Sequence, residues 1–100
     1  MNHSIKAARK QIKLTGNMSA DRLDEIKESL LAELYNQQRL DIVISDVTTL
    51  HLSTLQWIYA FGCAASSEGK EVAVTTDLPA KYDKLVRASG IKKMFNRFNP

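Results

Sequence analysis

The chain has 100 residues, 44% of them apolar and 25% charged, with a formal net charge of +3. That length argues for one domain over residues 1–100, which removes about two thirds of the extended-chain surface from water, and the balance suits a folded globule over a disordered chain. No run of about 18 apolar residues is available to span a bilayer, and the start "MNHSIKAARKQ" lacks the apolar block of a secretion signal.

In "QIKLT", Ile12 and Leu14 point one way and Lys13 the other, the pattern of a half-exposed strand. "SIKAARK" before it reads as a second short strand. "GNMS" then breaks the alternation, with Gly16 and Asn17 as turn formers and Ser19 as a helix cap. Over 20–37 the period becomes helical. Leu23, Ile26, Leu30 and Leu34 form one stripe with Leu31 beside it, and the acids Asp21, Asp24 and Glu25 fall in the positive first turns.

"LDIVIS", 40–45, is β-branched and free of charge after Asp41, as an interior strand requires. Residues 46–52 read as a connection. Ser53 then starts a helix over 53–67, with Gln56 three places on at the capping-box spacing. Leu55, Ile58, Tyr59, Gly62 and Cys63 outline one face of it, with Trp57, Phe61 and Ala64 on the flank. Gly69 supplies the left-handed turn that ends it. "EVAVTT", 71–76, alternates as a further central strand, and Pro79 leads into a helix over 79–89. Tyr82, Leu85 and Val86 are its apolar side, and Gly90 stops it. In "IKKMFNRF", Ile91, Met94, Phe95 and Phe98 are the packed side of a final strand or short helix. Strands separated by helices give mainly parallel pairing, so the fold class is α/β: a mixed, mostly parallel sheet of four or five strands with helices packed beside it.

The chemistry of most enzymes is missing. No glycine of this chain belongs to a phosphate-cradling signature. His51 stands two residues from Ser53, but sequence adjacency is not a catalytic triad. Cys63 is alone, which excludes an internal disulfide and a thiolate cluster and fits a reduced, buried thiol in a cytoplasmic protein. His3 and His51 have no third ligand near them in the sequence. The expectation is a chain with no catalytic residue, cofactor or metal. Charge is unevenly spread: 1–13 and 84–97 carry bases and no acid, whereas 19–46 carry seven acids against three bases. Such polarity steers an acidic partner, a lipid surface or a nucleic acid, or serves solubility alone. Few aromatics accompany the bases, so nucleic acid is the least favoured partner.

What remains is the hydroxyl pair Ser53–Thr54 at the helix start. In one reading Ser53 caps the helix and Thr54 occupies its first position, with the Thr54 hydroxyl facing water. In the other, a phosphate on Thr54 places a charge of about −1.5 to −2 beside the positive helix end and switches a docking surface. The two readings can coexist.

The layout resembles a STAS domain, the fold of anti-sigma factor antagonists. "IKLTGNMS", "LDIVIS", "VTTLHLSTLQW", "EGKEVAVTT" and "LVRASGIKKMF" carry the resemblance, over roughly residues 5–97. In that family an Asp-Ser-Ser-Gly or Asp-Ser-Thr-Gly segment leads to Leu, and the first hydroxyl residue is phosphorylated by a partner kinase. The ungapped match puts that role on Thr54, with Ser53 at the Asp, Leu55 at the second hydroxyl, Gln56 at the Gly and Trp57 at the Leu. The strand-terminal acid falls on Ser45, with Asp46 adjacent.

The resemblance implies a non-catalytic regulatory module, acting in signal transduction and transcription regulation. Thr54 is its phosphoacceptor and Ser53 a second one. Asp46, His51, Ser53, Thr54, Gln56 and Trp57 form its partner surface, and the partner is an anti-sigma factor with serine kinase activity. STAS-like domains also resemble small accessory subunits of bacterial lipid-transport ABC ATPase complexes, which implies an unphosphorylated structural subunit as the alternative. Trp57 is either a docking anchor or a core residue, and a homodimer is left open.

Overall fold

The computed structural model describes residues 9–96. The two alternating stretches and the β-branched run become three parallel strands: β1 (Arg9–Met18), β2 (Arg39–Leu50) and β3 (Glu71–Asp77), in spatial order β1-β2-β3. The helices are α1 (Leu23–Asn36), entered through a 3-10 turn at Ala20–Arg22, then α2 (Leu52–Ser67), α3 (Ala80–Ser89) and α4 (Ile91–Phe95). The α/β class with parallel pairing is as expected. Three strands occur among the described residues. Most of the further strand expected in "SIKAARK" lies outside the described residues, as does Phe98. The final segment resolves as a short helix.

Sequential strand order with right-handed crossovers places α1 and α2 on one face of the sheet. Leu40, Ile42 and Ile44 of β2 point to that face, and Ile26 and Leu30 of α1 and Leu55 and Ile58 of α2 meet them, all essentially without exposed surface. Each such side chain contributes about 1.5–3 kcal/mol by leaving water. Val86, Ile91 and Phe95 extend the same core from α3 and α4. The other sheet face is polar. Asp41 accepts hydrogen bonds from Arg9 at 3.0 Å and Arg39 at 2.9 Å, and Arg39 also pairs with Glu71 at 2.9 Å. Glu71 first, and Asp41 next, push the Arg39 pKa further up.

Two helices end where a glycine takes the left-handed conformation a side chain resists: Gly69 and Gly90, both at φ +82°. α1 has no basic residue in its own last turn. Lys70, after α2, supplies the cation and donates to the Leu34 carbonyl at 2.6 Å.

Three expectations are corrected by packing. Leu85 is exposed, while Val86 alone of its helix is fully buried. Leu31 lies outside the α1 stripe at 55% exposure. Cys63 is exposed as well, because α2 buries Thr54, Leu55, Ile58, Phe61, Gly62 and Ala65, a stripe turned away from the one expected. α2 is apolar nearly all round, so its pattern did not fix its rotation.

Candidate functional site

Residues 46–50 are strand, not connection. β2 pairs with β3 up to Ser45 and then continues beside β1 to Leu50. Over this stretch the register slips twice: Leu14 and Gly16 face Ile44 and Val47, and Gly16 and Asn17 face Val47 and Thr49. β2 thus carries extra residues, which bend and retwist it as bulges do. The expected break at Gly16 is part of the same feature. β1 runs on to Met18, with Gly16 at φ +77° where the bulge needs it.

Asp46 sits at φ +51°, in the left-handed region. Among non-glycine residues Asp and Asn tolerate it best, because a short polar side chain can bond locally. The consequence is a change of parity. Leu40, Ile42 and Ile44 face the core, and unbroken alternation would send Asp46 there too. Val47 is buried instead, and Asp46, Thr48 and Thr49 are exposed.

The bulged tail delivers the chain to α2 through His51. The His51 amide donates to the Met18 carbonyl at 3.2 Å, and its Nδ1 accepts the Ala20 amide proton at 3.0 Å. On the other side the Tyr82 hydroxyl of α3 donates to the Thr48 carbonyl at 3.3 Å. The site is therefore braced from both neighbours, a feature that sequence spacing did not reveal.

The hydroxyl pair separates. His51 is the N-cap residue of α2, and no side chain caps this helix. Ser53 is therefore not the cap, and its box with Gln56 is not formed; both are exposed in the first turns. Thr54 is the third helical residue, not the first, and does not face water. It has 0% exposure, and its Oγ1 has no hydrogen-bond partner among the described residues. A helix that buries Leu55 and Ile58 must bury position 54 with them, since these lie on one face. The hydroxyl is closed to solvent in the folded chain.

Trp57 is partly buried against the core. It stacks on Phe61 at 5.3 Å between centroids, and the Lys27 ammonium lies 5.7 Å from its ring. Of the residues expected at the partner surface, Asp46, His51, Ser53 and Gln56 are exposed together where α2 leaves the sheet, Trp57 flanks them and Thr54 lies beneath. Among the described residues no group of three or more His, Cys, Asp or Glu could hold a metal ion, and no helix is long and apolar enough to cross a membrane.

A protein-family model described as "Mlab, STAS domain" matches residues 1–96. The chain belongs to the STAS domain family. No curated protein and no solved structure matches it. Family membership supports a regulatory, protein-interaction role for this STAS domain, in a family whose members are generally non-catalytic.

Proposed function

We propose that this STAS domain is a non-catalytic docking subunit that binds one protein partner through the Asp46–Gln56 surface, without phosphorylation of Thr54. One observation carries the reading: Thr54 has 0% exposure beneath exposed neighbours. That favours an accessory subunit over a kinase-switched anti-sigma antagonist. The resemblance to accessory subunits of bacterial lipid-transport complexes supplies the partner class, an ABC-type ATPase subunit. Co-expression with such an ATPase and with an ATP-binding anti-sigma kinase separates the two. The ATPase should be captured by the native chain and lost with Ser53→Arg or Gln56→Arg, whose melting temperatures stay native. Capture of the kinase alone overturns the reading.

A second reading rests on the exposure of Ser53. A phosphate there would add a charge of about −1.5 to −2 in the first turn of α2, where the helix end favours anions, and would repel an acidic partner. Incubation with candidate kinases and ATP, then mass spectrometry, decides it: label on Ser53 supports the switch, and an unlabelled peptide removes it.

A further inference from the structure

The basic C-terminal stretch does not join the α2 surface. It folds into the corner between α3 and α4, where Arg87, Lys92 and Lys93 line a cavity of about 370 Å³ together with Gly90 and Asn96. A second cavity of about 150 Å³ is lined by Lys92 and Asn96 as well, and is walled by Thr75, Thr76 and Phe95. Lys92 and Asn96 therefore line both.

Charge in this corner is incompletely neutralised. Asp83 is shared by two cations, at 2.7 Å from Arg87 Nε and 3.5 Å from Lys92 Nζ. Lys93 has no ion pair among the described residues and is exposed. Two positive charges remain in excess around a concave space.

We propose that this corner binds a phosphate group: Lys92, Lys93 and Arg87 supply the charge, and the exposed Asn96 amide orients the oxygens. That net charge suits a phosphate anion. The amide donor suits an acceptor with several oxygens, and guanidinium and ammonium groups make their strongest hydrogen bonds to such an anion. The cavities have the size of a small ligand group. They lack the extended groove with stacking aromatics that a nucleic acid strand requires. The phosphate can be that of a soluble phosphomonoester or of a lipid headgroup.

The test is titration of the full chain with inorganic phosphate, followed by amide proton–nitrogen correlation NMR against chloride at equal ionic strength. Saturable shifts at Thr76, Gly90, Lys92, Lys93 and Asn96 are expected, and Lys93→Gln should weaken binding about tenfold through loss of a charge-assisted contact. The melting temperature of Lys93→Gln should stay native, because the exposed Lys93 has no ion pair among the described residues to lose, while phosphate affinity falls. Equal shifts in chloride, or shifts of the same size at Lys10 and Lys13 on the opposite edge strand β1, overturn the proposal. So does native affinity in Lys93→Gln. A second arm uses phosphatidylglycerol vesicles against phosphatidylcholine vesicles: capture by the anionic vesicles alone, lost in Lys93→Gln, assigns the lipid headgroup. Phosphate binding without vesicle capture assigns the soluble source.

Discussion

His51 accepts the Ala20 amide proton on Nδ1 at 3.0 Å, which ties the end of β1 to the start of α2. The bond needs a lone pair on Nδ1, so the proton of the neutral ring sits on Nε2. Replacing the ring with a shape that cannot accept should cost about 1 kcal/mol, the usual net worth of a neutral hydrogen bond. We expect His51→Phe to lower unfolding stability by that amount in urea and to speed hydrogen exchange at the Ala20 amide. Native exchange at Ala20 would show the brace to be irrelevant.

Thr54 Oγ1 is sealed and unpartnered. Thr54→Val keeps the branched shape and removes a hydroxyl that gains nothing, so stability should hold or rise by up to about 1 kcal/mol. Thr54→Glu places a carboxylate in the core beneath α2 and should cost several kcal/mol. Urea midpoints of the two variants check both directions. A stable Thr54→Glu protein would contradict the sealed position.

Asp46 holds φ +51° at the bulge. A branched side chain is strained there by about 1–2 kcal/mol, so Asp46→Val should destabilise by that order. Asp46→Gly relieves strain but frees the unfolded chain, by about 0.5–1 kcal/mol, and should lie near the native value. If Val is tolerated as well as Gly, the left-handed conformation does not limit stability.

Asp83 is held below the usual carboxylate range, first by its hydrogen bond from Arg87 and further by the charges of Arg87 and Lys92. A folded pKa below the unfolded one means stability that is present above the unfolded value, about 4, and lost as pH falls through the lower folded value. The advantage of the native chain over Asp83→Asn should therefore be full at pH 6 and fade as the medium is acidified below about pH 4. Parallel thermal melts across that range measure it, and a constant difference would refute the coupling.

The order of elements was legible because each signal is local. Alternation at Ile12 and Leu14 and at Val72 and Val74 marks strands, and the Ile26–Leu30–Leu34 stripe marks a helix. Gly69 and Gly90 mark helix ends for a reason written in their own backbone freedom. The exposure of Asp46, His51, Ser53 and Gln56 was legible for the same reason, since a strand handing over to a helix exposes its turn.

The fate of the two adjacent hydroxyls was not legible. Ser53 and Thr54 differ by one step of a helix whose remaining faces are nearly all apolar, so either could have pointed inward. The choice came from His51 binding Met18 and Ala20, which starts α2 two residues earlier than the capping pattern suggests. The reversal of parity at Asp46 likewise came from pairing with β1, whose shorter count forced β2 to bulge. Local sequence set which segments are strand and helix; contacts between segments distant in sequence set their register and rotation. Burial rewards one rotation of α2 on the sheet, and no property of the helix alone carries that information.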